Sequence, residues 1–471
     1  MNPHLQDLRD LLYQPPSTTI WRRICDRLDQ IQEASSQTHS PPTPPNPTST
    51  PFIALTYALH HLASWPDHLR HHHIGLHQDL THRPIWWPAI RTLTVDCYST
   101  WPHHEGPAFH TLLTSNALQN IHNLHLEDGE LPPESFHTLF TSPSLRALRK
   151  LKLQGQPPYA ALQTFATSPT PTHLKHLALH NAQLTPDAIT PLLTSPKLQH
   201  LTTLQLPHSH IGPQGAIALA RSSHLTRLKR LDLSHNHIGD AGVIALAASP
   251  HLRQLSELNL RNNRLTQASI KALFTLSNLP NLKRLTLSQN HLTDHDIQTI
   301  ANSPHLMRTH CLDLSSNHIG SKGVAALSSS PYTAGLTLLD LSINPIGPKG
   351  TAALSQSCHL SQITALGLAK TGQTNKALRA LASSPHLRAL KHLDIRGNLR
   401  LTNPSIHHIA SNAAAMTLQC LHHDDSTIDI FLFRDTNNAA IPQWDPSSPN
   451  QAAQPCPFCT QHNPQPTQFW R

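Results

Sequence analysis

Residues 224–250 read HLTRLKRLDLSHNHIGDAGVIALAASP, and the pattern of this stretch decides the fold. In Leu231-Asp232-Leu233 apolar and polar residues alternate, which sets both leucines on one face of a short strand and the aspartate on the other. Three residues after Leu233 stands Asn236, whose amide carries a donor and an acceptor and can satisfy the backbone of a buried turn that no sheet reaches. Ile238 follows, and Gly239 opens a second element in which Val243, Leu246 and Ala247 recur at helical spacing. Pro250 cannot continue that helix. One strand and one helix are therefore written into 27 residues.

The same pattern recurs along the chain. The middle leucine of LxxLxL, or its aliphatic equivalent, stands at 177, 204, 231, 258, 285, 312, 339, 366 and 393, an advance of 27 at every step. Asn263, Asn290, Asn317, Asn344 and Asn398 repeat the asparagine, Ser209 and Thr371 replace it incompletely, and Ala182 cannot, so those coils are expected to be looser. Thr185-Pro186, Gly212-Pro213 and Gly347-Pro348 read as helix caps followed by proline at the first helical position. Weaker copies at Leu93, Leu124 and Leu151, and a closing one at Leu418/Leu421, give about thirteen repeats across residues 88–425, blurred at the ends where a coil has no neighbour to stack on. Strands stack about 4.8 Å apart and helices about 8–10 Å apart, so such an array is expected to bend with its sheet inside.

The string LxxLxLxxNxIGDxGxxALAxxL resembles the leucine-rich repeats of ribonuclease inhibitor, NLR receptors and the Ran GTPase-activating protein. The resemblance implies an α/β fold: a right-handed leucine-rich-repeat solenoid, or horseshoe, with a parallel sheet on the concave face and helices on the convex face. It implies binding of a macromolecule rather than catalysis. That family alternates lengths of roughly 28 and 29 residues, whereas this chain holds 27, as some bacterial repeat proteins do. Thr371 and Gln373 break the pattern in one repeat, and an extra residue after Asn398 shifts Leu401, so irregular loops are expected at both.

Composition fits a thin, regularly layered array. At 471 residues the chain exceeds the size of one compact core, and its apolar content of 38% is dominated by leucine. The formal charge of +8 is spread over only 13% charged residues, which gives little support to a nucleic-acid partner. No apolar segment follows Met1 and no run of eighteen uncharged apolar residues occurs, so a soluble cytoplasmic protein without membrane contact is expected. Seven cysteines, with Cys25, Cys97, Cys311, Cys358 and Cys420 at no framework spacing, fit a reducing compartment.

Flanking segments divide by composition. Residues 1–34 hold a helix entered at Ser17 with Ile20, Ile24, Leu28 and Ile31 on one face; 35–51 form a proline-rich linker; 52–87 form a helical cap over the first strand near Leu93; 88–425 are the repeat domain; and 426–471 form a largely disordered tail after a last strand in TIDIFLF.

Few residues carry candidate chemistry. Cys456 and Cys459 form CPFC, followed by His462, which is half of a zinc site that Cys420, His422 and His423 could complete; the reading adopted is a tail with two reduced thiols and no cofactor, with zinc and thiol redox as alternatives. Histidines recur in two files, His210, His237, His291 and His318, and His224, His251, His305, His359 and His386, read as tolerated surface positions in a chain with 39 histidines. Outward strand positions form the candidate partner-binding face: His176, Arg230, Glu257, Arg284 and His392 in one column, Asp232, Asp313, Asp340 and Asp394 in the next, with Arg261 and Arg396 just beyond. No GxSxG, Walker A or HExxH motif is present, and no catalytic residue is assigned. The expected function is a non-catalytic scaffold for a protein partner. Alternatives are a GTPase-activating regulator, which rests on the resemblance alone, and a nucleic-acid-binding solenoid, motivated by Lys175, Lys229, Lys283 and Lys391 and by RALRKLK at 146–152.

Overall fold

The computed structural model describes residues 3–36, 50–75, 87–96, 112–113, 118–127, 133–168, 173–275, 278–402, 409, 418–422 and 430–431. Most of the linker and the CPFC motif lie outside these. The chain divides into two compact units, Met1–His210 with Ser222–Leu228, and Ile211–Arg221 with Lys229–Arg471. Among the described residues no helix is long and apolar enough to cross a membrane.

In the first unit three helices, α1 (Pro3–Leu12), α2 (Thr18–Ser36) and α3 (Thr50–Leu62), precede six strands: β1 (His71–Gly75), β2 (Thr92–Asp96), β3 (Asn123–Glu127), β4 (Lys150–Gln154), β5 (His176–His180) and β6 (Thr203–Gln205). Each strand pairs in parallel with the next. Ser17 Oγ accepts the N–H of Ile20 at 3.2 Å and so caps α2 as expected. Ile24, Leu28 and Ile31 are buried, whereas Ile20 is half-buried. Trp21 enters the core instead, and its indole N–H donates to His71 O at 2.9 Å, tying the helix to the first strand. That strand departs from expectation, since the segment read as a helical cap also supplies β1. The leucine signature misses it because His72 occupies the column of Leu93, with Trp87 5.9 Å away between ring centroids.

The second unit holds β7 (Arg230–Asp232), β8 (Glu257–Asn259), β9 (Arg284–Thr286), β10 (Cys311–Asp313), β11 (Leu338–Asp340), β12 (Ala365–Gly367), β13 (His392–Asp394) and β14 (Cys420–His422), again parallel in chain order. A two-residue strand, β15 (Ile430–Phe431), runs antiparallel to β14. Leu231, Leu258, Leu285, Leu312, Leu339, Leu366, Leu393 and Leu421 stand beside one another in register. All are buried, so removing one leaves a cavity in a layered core. Helices such as Gly239–Ala248, Asp294–Ala301 and Ser321–Ser329 return the chain from one strand to the next.

Between strand and helix the asparagines form the ladder that the sequence predicts. Asn263 N–H donates to Asn290 Oδ1 at 2.8 Å, and Asn290 N–H to Asn317 Oδ1 at 2.9 Å. Asn290 Nδ2 donates back to Leu260 O at 2.9 Å in the preceding coil. In the first unit Ser209 performs a reduced version, donating to Leu179 O at 2.9 Å and accepting Ala182 N–H at 3.5 Å. Thr371 Oγ1 turns inward to its own coil, donating to Leu368 O at 2.7 Å and accepting from Gln373 Nε2 at 2.9 Å.

A second ladder was not foreseen. The serine before each helix-ending proline ties two coils together: Ser249 Oγ donates to Ala220 O at 2.6 Å, Ser330 Oγ to Ala301 O at 2.5 Å, and Ser303 Oγ to Phe274 O at 2.5 Å. These hydroxyls satisfy carbonyls of the last turn of the neighbouring helix, which has no partner of its own.

Candidate functional site

Strand alternation turns Arg230, Asp232 and their equivalents away from the helices. In the second unit the first outward column runs Arg230, Glu257, Arg284, Cys311, Leu338, Ala365, His392 and Cys420. The second runs Asp232, Asn259, Thr286, Asp313, Asp340, Gly367, Asp394 and His422. Three of the predicted residues, Arg230, Glu257 and Arg284, are thus brought side by side. Arg230 Nε lies 3.3 Å from Glu257 Oε2, with side-chain exposures of 42% and 17%. His392 belongs to the same column but is separated from them by Cys311, Leu338 and Ala365. His176 lies in the first unit, between Lys150 and Thr203.

The outward columns are half-open along β7–β10 and buried along β11–β14, where His392 alone stays half-buried. Asp232 and Asp313 are half-buried, whereas Asp340 and Asp394 are only 1% and 2% exposed, against the expectation of a solvated aspartate column. Two causes are local. Gly367 offers no side chain beside Asp340, and a Cβ there would collide with Asp340 Oδ1, so the carboxylate occupies the space over the glycine. Arg396 clasps Asp394, with Nε to Oδ1 at 2.9 Å and Nη2 to Oδ2 at 2.5 Å. Beside these, Leu338, Ala365 and Cys420 form a buried apolar cluster with Cys311 against it. Burial pushes the Cys311 thiol above its ordinary range, which favours the unreactive protonated form.

The recurrence of aspartate also has a structural cause. Asp232 Oδ1 accepts Ser234 N–H at 2.9 Å, Asp313 Oδ1 accepts Ser315 N–H at 2.9 Å, and Asp340 Oδ1 accepts Ser342 N–H at 2.9 Å. Each carboxylate closes a turn at the strand end. Asn259 does the same for the N–H of Arg261 at 3.1 Å, and the exposed Arg261 reaches Gln289 Oε1 at 3.2 Å. The carboxylates are held in fixed directions by the fold they help to build.

Three members of one histidine file sit where the backbone is left-handed, with φ of +53° at His210, +54° at His237 and +59° at His291, whereas His318 does not. Histidine tolerates that region better than branched residues do, which explains these three positions without a ligand. His291 Nδ1 lies 3.2 Å from His318 Nε2. Among the described residues no group of three or more His, Cys, Asp or Glu is arranged to hold a metal ion. Closest to such a group is a pair on β14: Cys420 Sγ lies 2.9 Å from His422 Nε2, both buried. A depression lined by Phe274, Thr275, Thr299, Asn302, Ser303, Pro304 and His305 brings in a single titratable side chain.

A family model described as "Leucine Rich repeat" matches residues 197–220, 224–247 and 310–328. No curated protein matches the sequence. Similar solved structures include an internalin (inlF) from Listeria monocytogenes, at 20% identity over 66% of this chain and 82% of that one with a TM-score of 0.40. Another is the complex of Rad7 and Elc1 in yeast, at 16% identity over 73% of this chain and 80% of that one with a TM-score of 0.45. With its matched repeats, its parallel strands in register and its intervening helices, the chain carries leucine-rich repeats and has the fold of a leucine-rich-repeat solenoid.

Proposed function

We propose that the protein is a non-catalytic scaffold that captures a protein partner on the outward face of β7–β10. The observation that carries this reading is the contrast along the face: Arg230, Glu257, Arg284 and Asp313 stand partly accessible on paired strands, whereas from Leu338 onward the same columns are buried except at His392. Mixed charge on a rigid sheet gives specificity without an apolar pocket, and a surface already ordered loses little entropy on binding. Asp232 and Asp313 beside the lysine file work against a phosphate backbone. The helix between successive strands from β3 to β13 supports the ribonuclease-inhibitor-like subclass, although the 27-residue step is shorter than that family's repeat. Free thiols at Cys25, Cys311 and Cys358 support a reducing compartment.

The test is simultaneous charge reversal, Arg230→Glu, Arg284→Glu and Asp313→Lys. Affinity capture from a native extract is expected to lose the partner while the thermal transition stays in place. Unchanged capture by the folded triple variant would place the binding surface elsewhere.

A further inference from the structure

A basic residue stands immediately before each of the first five strands. Arg70, Arg91, His122, Arg149 and Lys175 are joined main chain to main chain, one per coil. Arg91 N–H donates to Arg70 O at 3.0 Å, His122 N–H to Arg91 O at 2.8 Å, Arg149 N–H to His122 O at 2.7 Å, and Lys175 N–H to Arg149 O at 2.7 Å. The first three side chains are engaged within the fold: Asp67 takes Arg70 at 3.1 Å and His122 at 2.7 Å, and Arg91 donates to Pro88 O at 2.9 Å. Arg149 and Lys175 are exposed.

Positive charge continues onto the outward face beside these two. Lys150 and His176 are register neighbours in one column, His125 and Lys152 in the next, and all four are half-buried. Glu127 is the one carboxylate of β3, β4 and β5, and it lies 3.4 Å from Lys152 Nζ. Two imidazoles here hold a nitrogen without a hydrogen-bond partner, Nε2 of His125 and Nε2 of His180, and His180 is only 9% exposed. Lys150 and Lys152 beside His125, and Lys152 and His208 beside His180, disfavour a proton on either ring. An anionic ligand with hydrogen-bonding groups would relieve both the repulsion and the unmet nitrogens.

The rest of the face distinguishes one anion from another. No Phe, Tyr or Trp stands among the outward positions of β3–β6, so nucleic-acid bases would find no aromatic platform. Glu127 interrupts a continuous track for phosphates, whereas a peptide can offer it a backbone N–H. Lys152 already holds a carboxylate on this surface.

We propose that the outward face of β3–β5, with Arg149 and Lys175 at its edge, binds an extended peptide segment rich in aspartate and glutamate. Arg149, Lys150 and Lys175 hold its carboxylates, and Glu127 accepts a main-chain N–H. The flexible stem of Lys152 turns toward a bound carboxylate and uncovers the Nε2 atoms of His125 and His180 for polar groups of the peptide. None of the residues assigned to β7–β10 takes part, so the surface stands or falls independently of that reading.

Fluorescence anisotropy on the full-length protein tests this with a labelled dodecapeptide of alternating glutamate and serine, and with a labelled uridine dodecamer as the rival probe. Saturable binding of the peptide is expected, tighter than that of the oligonucleotide and weakened by added salt. Lys150→Glu with Lys175→Glu should weaken it at least about tenfold. Lys150→Gln with Lys175→Gln, a milder pair should reversal disturb folding, should weaken it at least about threefold at an unchanged thermal transition. Lys322→Glu with Lys376→Glu makes the same change of net charge at exposed positions of the helices Ser321–Ser329 and Asn375–Ala382. That control should bind within about twofold of wild type. Absence of peptide binding, preference for the oligonucleotide, or an equal loss in the control pair overturns the proposal.

Discussion

The carboxylate of Asp294 caps a helix one coil further on, accepting the backbone N–H of Gly320 at 2.7 Å and that of Gly323 at 2.8 Å. Gly320 precedes the helix Ser321–Ser329, whose first N–H groups have no partner within the helix. Asp294 also opens its own helix, so one side chain belongs to two coils. Gly323 is small for this reason: a Cβ there would lie 2.7 Å from Asp294 Oδ1 and 3.2 Å from Asp294 Cα. Asp294→Ala is expected to destabilise by about 1–2 kcal/mol, as losing a cap does. Gly323→Ala should also destabilise, because the backbone of the neighbouring helix must move. Urea unfolding of both variants checks this, and a null effect from Asp294→Ala would show that water replaces the carboxylate without loss.

Asp240 bridges neighbouring coils in the same way, nearer the start of the second unit. Burial alone would raise its pKa, but hydrogen bonds from the side chains of Ser269 and Thr266, then from their backbone N–H groups, outweigh this and hold it below the ordinary carboxylate value. A depressed folded-state pKa gives stability that is present above the unfolded value of about 3.9 and lost as pH falls through the folded one. Asp240→Asn should therefore lower stability at pH 7 and lose some of that difference near pH 3. Parallel urea titrations at the two pH values measure it.

Asn290 carries more of the fold than any leucine-counting scheme suggests. Its Oδ1 accepts from Asn263 N–H at 2.8 Å and Leu265 N–H at 3.4 Å, and its Nδ2 donates to Leu260 O at 2.9 Å. Truncation to alanine strands donors and acceptors in a site that is fully buried, with an expected cost of about 2–4 kcal/mol. Thr371→Asn is the converse: an amide at 371 would supply the acceptor that the threonine turns inward, and a gain of about 1 kcal/mol in equilibrium unfolding is expected.

What the sequence made legible followed from periodicity. Leucines, asparagines and helix starts repeat because each coil solves the same packing problem, so the strand register and the amide ladder could be read from spacing alone. The unforeseen features depend on neighbours rather than on the repeat. Asp294 and Ser303 look like ordinary polar residues until the adjacent coil is built. Asp340 looks exposed by alternation, and only Gly367 beside it explains its burial. The strand β1 escaped because His72 stands where leucine was sought. The candidate face was legible as a set of outward positions, but not as one half that is partly open and one that is buried save for His392.

Two histidines of the first unit make stability depend on acid. Burial lowers His125 to about 3, with Lys150 and Lys152 adding repulsion, and lowers His180 to about 4, with Lys152 and His208 adding to it. Below about pH 6.5 the unfolded chain binds protons that these folded-state imidazoles refuse, so stability falls with pH from there down to the folded values. The slope is about 1.4 kcal/mol per pH unit for each group. Replacing both with glutamine should flatten the profile between pH 7 and pH 5. A double variant with the wild-type slope would assign the acid sensitivity to other groups.

Arg284 and Arg396 separate binding from folding. Arg284 lies on the open half of the face beside Glu257 and Cys311, and reversing it to glutamate removes a charge from the proposed contact with little effect on the core, within about 0.5 kcal/mol. Arg396 lies on the closed half, where its guanidinium is the ion-pair partner of a carboxylate only 3% exposed. Arg396→Ala leaves that carboxylate without its guanidinium, and a loss of about 2–4 kcal/mol is expected. Capture of the partner should therefore fail for Arg284→Glu at unchanged melting temperature and persist for Arg396→Ala below its lowered one. The opposite pattern, capture lost with Arg396→Ala while the protein is still folded, would move the binding surface to β11–β14.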